Sequence, residues 1–316
     1  MRLVSGSERI IAGTNCDPIG GTVRWAPAKS LWIGSMTLSA LLFGPFYFTW
    51  GAFALFIVMS GITLCAGHSV GMHRRLIHNS FACPLWLEYV CVYLGVLVGM
   101  AGPLGMIRLH DMRDWAQRQL ECHDYFAHRA GFWRDGWHQL HCRLELRRPP
   151  EFRLEPRVAT DPVYNWLERT WMFQQLPWAI LFFAVGGMPW LIWGVCARIA
   201  VCVTGHWLVG HYAHREGSQT WVIGGACVQG YDVKLAGLIS MGESWHNNHH
   251  AFPGSAKLGL EPGQIDLGWM LLVAFQRIGW AWNIVTPDGL PHRPALRRVA
   301  KQGDGCPLLA RLLAQA

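Results

Sequence analysis

From Ser30 to His73 the chain carries no Asp, Glu, Lys or Arg, and from Thr170 to Ala197 it again carries none. An uncharged apolar run well beyond about 20 residues is long enough to cross a bilayer, and the first run is long enough to cross twice. Pro45 and Gly51 bracket a turn in the first run, and Gly186-Gly187-Met188-Pro189 supplies one in the second. The pattern predicts helices near 31–45, 50–67, 171–186 and 190–210, paired as two hairpins. With 52% hydrophobic and only 15% charged residues, the chain is too apolar for an ordinary soluble domain. Its 18 Trp point the same way, because aromatic side chains collect at membrane interfaces.

Charge sets the expected orientation. Both hairpin tips are uncharged, whereas residues 108–157 carry ten Arg and both chain ends are basic (Arg2, Arg9, Arg24 and Lys29; Arg293, Arg297, Arg298 and Lys301). Lys and Arg gather on the cytoplasmic side of a membrane, so both termini and both large polar segments are expected there. The net charge of +7 follows from this asymmetry and does not imply nucleic acid, since no basic run is interleaved as a groove-binding surface requires. The polar, Gly-rich residues 1–29 do not read as a cleavable signal peptide. Ten scattered Cys without a C-x-x-C pair predict neither disulfides nor a zinc finger. The expected organisation is a cytoplasmic segment 1–30, one membrane domain 31–282 and a basic tail 283–316. Pro84 to Ile107 is apolar but interrupted by Gly95, Gly99, Gly102, Pro103 and Gly105, and reads as an interfacial or re-entrant helix. A short apolar helix is expected near 267–282.

Histidine carries the chemistry. His246, His249 and His250 stand at i, i+3 and i+4, which places three imidazoles on one helix face. Neutral imidazole ligates iron, zinc and copper, and a cluster this dense otherwise leaves buried ring nitrogens without partners. His73 and His78 follow the second predicted span; five residues turn an ideal helix by about 140°, so they serve two ions, or one if the helix ends between them. His211 and His214 end the fourth span, while His68 and His206 read as structural. The fold class expected from all this is all-α: an integral membrane four-helix stem under a cytoplasmic helical cap that carries a His-rich metal centre.

H-R-x-L-x-H at His73–His78 and G-E-x-W-H-N-N-H-H-A-F-P at Gly242–Pro253 closely resemble the membrane fatty-acid desaturases of the acyl-CoA or acyl-lipid Δ9 type. The likeness runs from about Gly61 to Trp282 and includes Trp207-Leu208-Val209 before His214, where the family shows an Asn-Ser-x-x-His ending. The resemblance implies a di-iron centre held mainly by His73, His78, His110, His214, His246, His249 and His250, beneath a stem that holds an acyl tunnel. It also implies O₂, a fatty acyl substrate on CoA or lipid, membrane lipid as surroundings, and two electrons from a separate ferredoxin- or cytochrome-like donor. The sequence shows no His-Pro-Gly-Gly haem segment and no Cys₄ iron–sulfur spacing, so the electrons are expected from a separate protein. Glu243 and Asp266 are candidates for orienting ligand N–H groups from behind.

The sequence departs from the family at the middle box, H-x-x-H-H, which here reads His110-Asp111-Met112-Arg113-Asp114. Arg113 is a permanent cation with no lone pair to donate; Asp114 offers carboxylate oxygen. The family's Asn is replaced by Gly210. His123 and His128, and with them His138 and His141, are candidate substitutes from the cap. The departure bears on the second iron rather than the first. It leaves three readings: a di-iron site with altered ligands, a site tuned to another oxidation such as hydroxylation, or a non-catalytic metal- or lipid-binding protein.

Overall fold

The computed structural model describes residues 9–299, so the outermost parts of both basic ends, including Arg2 and Lys301, lie outside the described residues. After the short strand β1 (Ile10–Ile11) and strand β2 (Asp17–Trp25), α1 (Pro27–Phe43) begins with Pro27 in its first turn, where a missing N–H costs nothing. A turn at residues 44–49 leads to α2 (Trp50–Ile77), capped by Thr49, whose hydroxyl accepts from the Ala52 N–H at 3.1 Å. From Thr63 onward α2 winds as a π-helix, with backbone bonds closing five residues apart. Next come α3 (Leu85–Val96), α4 (Pro103–Gln117), α5 (Phe132–His141), strands β3 (Cys142–Arg148) and β4 (Glu151–Phe152), and α6 (Pro162–Thr170). The helical stretch Gln175–Ala213 is broken at Gly187 (φ 63°, ψ −155°) into α7 (175–186) and α8 (188–213), which realises the second hairpin. Strand β5 (Trp221–Ile223), α9 (His246–Ala251), α10 (Leu267–Arg277) and strand β6 (Leu296–Arg298) complete the described chain.

Two of these stretches, Trp50–Ile77 and Gln175–Ala213, are long and apolar enough to cross a membrane. They pack with α1 around Met59, Phe182, Val195 and Ile199, with Trp32 and Trp178 at the edge of that core. The outer faces stay apolar: Leu31, Leu41, Phe46, Trp50 and Ile180 are all strongly exposed. Two such helices with outward apolar side chains fit association with a membrane.

The fold is mostly helical, but all-α needs correcting. Among the described residues, three two-stranded antiparallel ribbons, β1·β4, β2·β3 and β5·β6, accompany the helices. In the longest, Val23 pairs with Leu144, and these two with Leu146 lean on the core formed by Tyr125 and Phe126, while Arg24 meets Glu145 at 2.8 Å on the outer face. This two-residue alternation on Arg-rich segments is a strand signal that the charge reading passed over. Pro84 to Ile107 is likewise no single helix. With 12 residues α3 is shorter than a crossing needs, and Gly99 (φ 86°) turns the chain before Pro103 starts α4.

Arg198 interrupts the second apolar stretch and is fully buried. Its Nε donates to the Gly194 carbonyl (2.8 Å), its Nη1 to the Leu97 carbonyl and its Nη2 to Gln175 Oε1 (2.6 Å). The guanidinium thereby ties the end of α3 to α7 and α8.

Candidate metal centre

The π-winding of α2 decides how the first histidines sit. A π-turn takes up more residues than an α-turn, so a step of five falls closer to one full turn, and the neighbouring pairs His68–His73 and His73–His78 come together. The His78 N–H reaches the His73 carbonyl at 3.0 Å, the two Nε2 atoms stand 3.2 Å apart, and the His68 and His73 rings lie parallel. The 140° separation expected from an ideal α-helix is thereby corrected. α2 can wind this way because Gly67 and Gly71 lie directly on the α3 backbone; a Cβ on Gly71 would stand 2.5 Å from the Cys91 carbonyl carbon.

His110 on α4 and His249 on α9 complete a first set of four imidazoles, whose donor atoms lie within 4.8 Å of one another. His214, His246 and His250 form a second set by the same measure, with 3.1 Å between the Nε2 atoms of His246 and each of the other two. α9 therefore straddles both sets: His249 faces one way, His246 and His250 the other. The two asparagines between these histidines fix the single turn. Asn247 accepts from the N–H groups of Thr220 and Trp221 and donates to the carbonyls of Trp221 and Gly230. Asn248 donates to the Leu258 carbonyl and to Gln264.

Behind the rings stand the groups that orient them. Glu243 Oε2 lies 2.6 Å from His73 Nδ1. Burial alone would raise the Glu243 carboxyl, but His73 and Arg74 outweigh it and hold the group ionised, well below the usual carboxylate range. Asp266, by contrast, touches no candidate ligand. It takes hydrogen bonds from Arg74 Nη2 (2.7 Å) and from the N–H groups of Leu258, Gly259 and Trp269, so it braces the loop after α9. Asp111 stands 3.2 Å from His110 Nδ1, and buried Arg9 joins Asp111 and Glu155 to the carbonyls that end α2. Sequence reading missed Asp111 and Arg9, because adjacent helix residues give no pattern of contact and Arg9 lies far from every histidine along the chain. His214 Nδ1 donates to the Gly210 carbonyl at 2.7 Å, which leaves Nε2 as the donor to an ion.

The remaining candidates fall elsewhere. Asp114 belongs to neither imidazole set; its carboxylate accepts from Arg118 at 2.8 Å. Burial would raise that carboxyl, but His110 and Arg118 more than offset it and keep the group charged. His123 caps the one-turn helix Asp124–Ala127 through the Tyr125 N–H (3.1 Å). His211 turns away from His214, and with His128 and Asp135 it forms a third group that sequence did not foresee.

The donor sets fit a metal. Burial pushes His78, His214, His246 and His249 well below the ordinary imidazole value and His250 down to about 4, so each is neutral and carries a free lone pair at pH 7. His110 goes the other way: burial lowers it, but Asp114 and Asp111 more than offset that, and a bound cation would displace its proton. Nitrogens that share one ion at about 2.1 Å stand roughly 3 Å apart, as do those of His73 and His78, and of His246 with His214 and His250. Two cavities reach the clusters. One of about 210 Å³ is lined by Ile77, Met106, Val203 and Trp207 together with His73, His110, His214 and His246. The other, about 320 Å³, approaches His78 between Arg118, Phe252 and Arg293.

No protein-family model matches the chain. An sn-2 palmitoyl-lipid 9-desaturase of Nostoc sp. (strain 36) is 31% identical over 261 residues, 79% of this chain and 88% of that protein. The chain belongs to the fatty acid desaturase family. An sn-1 stearoyl-lipid 9-desaturase of Anabaena variabilis is 33% identical over 272 residues, 84% of this chain and 95% of its own length. An acyl-CoA 5-desaturase of Anemone leveillei is 30% identical over 254 residues, covering 80% and 77%. These desaturases differ in acyl carrier and in the position named, so family membership leaves both open for this member.

Proposed function

We propose that this chain is a membrane-embedded desaturase that removes two hydrogens from a fatty acyl chain, carried on lipid or CoA, at a His-ligated di-iron centre. The observation that carries the reading is the pair of imidazole sets, with members of both lining one cavity beside Ile77, Met106, Val203 and Trp207. His73, His78, His110 and His249 would hold one iron; His214, His246 and His250 would hold the other. Iron bound there supplies the activation of O₂ that no side chain can provide. The reaction balances as a –CH₂–CH₂– segment plus O₂, two electrons and two protons giving –CH=CH– and two waters.

The chain's own residues position and protect this chemistry. Ile77, Met106, Val203 and Trp207 give the acyl segment an apolar stretch of wall in a cavity that polar groups also line. Glu243 fixes His73, and Asp111 fixes His110. In this reading α1, α2, α7 and α8 form a four-helix stem across the membrane, within the domain 31–282. The Arg-rich cap, the centre and both termini lie on the cytoplasmic side, and a separate ferredoxin- or cytochrome-like protein delivers the electrons. Expression in a host that lacks unsaturated fatty acids, followed by lipid profiling, tests the activity. A new monounsaturated acyl chain supports desaturation. A hydroxylated chain assigns the centre to hydroxylation, and an unchanged profile with a competent donor present removes the catalytic reading.

A further inference from the structure

The positions where the sequence leaves the desaturase pattern are scattered along the chain, yet Arg113, Gly210 and His211 gather in the fold around one residue outside every box, His128. Arg113 lines the same cavity as His128 and His214 but donates to Gln139 (2.8 Å) and has no lone pair to offer an ion. Gly210 lies directly against the His128 ring: a Cβ there would stand 3.5 Å from His128 Nε2. An asparagine side chain, which the family carries at this position, would need the room that the imidazole fills.

His128 is held as a ligand is held. Its backbone is left-handed (φ 51°, ψ 32°), uncommon for a residue with a side chain, and Arg215 Nη1 donates to the His128 and Ala130 carbonyls at 2.9 and 2.8 Å. Its Nδ1 lies 2.9 Å from Asp135 Oδ2, which also accepts from Trp207 Nε1 and His211 Nδ1, both at 2.8 Å. An ionised carboxylate only accepts, so Nδ1 bears the proton and Nε2 the lone pair. Nε2 is buried and has no hydrogen-bond partner. A purely structural histidine would leave that orphan atom unexplained. The ring lies parallel to His214 with centroids 5.3 Å apart, as near to His214 as the His250 ring is.

We propose that His128 Nε2 is the fourth protein donor of the second metal site, with His214, His246 and His250, in place of the box histidine that Arg113 has replaced. Asp135 is its positioning residue, and Gly210 is the space that admits it. The proposal rests on the metal centre inferred above.

Co(II) titration of the full-length protein in lipid nanodiscs, with ions per chain counted by mass spectrometry and the visible absorption of each ion followed, separates the two claims. The wild type takes up two ions. H128Q keeps the side chain's bulk; it retains one ion, and its second binds at least tenfold more weakly. H78A weakens the other ion instead. H128G recovers the second ion's absorption when free imidazole is added, and this arm decides the matter if H128Q folds poorly. If H128Q binds both ions as tightly as the wild type, or imidazole restores nothing, His128 is no ligand while the centre stands. A wild type that binds one ion overturns the second site and its fourth donor together. One that binds none overturns the metal centre itself.

Discussion

The two histidine sets differ in how they are built. The first is closed: four imidazoles from α2, α4 and α9, with Glu243 behind His73 and Asp111 behind His110. Its floor is the core in which Met72, Leu76 and Ile77 of α2 meet Val92, Met106 and Tyr164. The second has three imidazoles within donor distance of one another, and beside it lie Arg113, Asp114 and Gly210, where the family pattern is lost. Divergence has fallen on the side that faces the cap, where the turn after Asp124–Ala127 and the start of α5 bring His128 and Asp135 within reach. On the other side a changed ligand would leave buried groups of a packed core unpaired. A metal site can drift where a neighbouring element can supply another donor.

The sharpest way to break this division is a pair of substitutions on opposite sides. H78A and H246A should each reduce unsaturated product in the complementation host below detection, yet release different ions. Iron analysis combined with Mössbauer spectra should then show two distinct residual centres. If both variants lose the same ion, the two sets are one site. Next in size is E243A, which strips the carboxylate from His73 but leaves every ligand in place. Loss of such a partner costs roughly 10–100-fold in metal affinity or activity. The expected result is a loss of that size confined to the ion held by His73. Unchanged kinetics and affinity would reduce Glu243 to a partner of Arg74.

What could be read from sequence follows from periodicity. The apolar helices and the short spacing of His246, His249 and His250 can be read from sequence, but the single face expected for those three is corrected by the structure, where His249 joins one set and His246 and His250 the other. His68, His73 and His78 also repeat, every five residues, a spacing that α-helical geometry separates and the wider π-turns bring together. The π-turns arise from the close approach of Gly67 and Gly71 to α3, a tertiary fact with no local signature. Arg9, Asp111 and Asp135 were invisible for a related reason: Asp111 and Asp135 act on histidines and Arg9 on Asp111 through side-chain contacts that no regular spacing marks. The ribbon β2·β3 did leave an alternation in the sequence, but its segments are short and dense in arginine, so charge hid it.

Acid should distinguish His110 from His250 and His128 in the metal-free protein. Burial holds His250 and His128 at about 4, against an ordinary value of about 6.5. Between those values the unfolded chain holds more protons than the folded one, so stability falls as pH drops from about 6.5 towards 4. His110 in the first set has a raised value, and its contribution has the opposite sign: it is present at low pH and lost as pH rises through that value. Thermal melts of the apo protein from pH 7 to 4.5 should show a falling midpoint, flatter in H250N and steeper in H110N. A wild-type midpoint that is level over this range would mean that these rings are hydrated and not buried as the structure has them.

The smallest expected effect tests the winding on which the first set depends. In G71A the added methyl would meet the Cys91 backbone at 2.5 Å, where no flexible side-chain end is available to yield. Overpacking of this kind costs about 1–3 kcal/mol. Two responses are open to α2. It can hold its π-turns and push α3 aside, which lowers the melting midpoint but leaves His73 and His78 together. Otherwise it relaxes towards α-helical winding, which turns the two rings apart by the 140° of an ideal five-residue step. The interlocked backbones of Gly67, Gly71 and Gly95 favour the first, since rewinding would break several close contacts at once. G71A should therefore melt a few degrees lower and still bind the first ion within about threefold of the wild type. Loss of that ion with an unchanged midpoint would show that the π-turns are sustained by Gly71 itself and not by the packing around it.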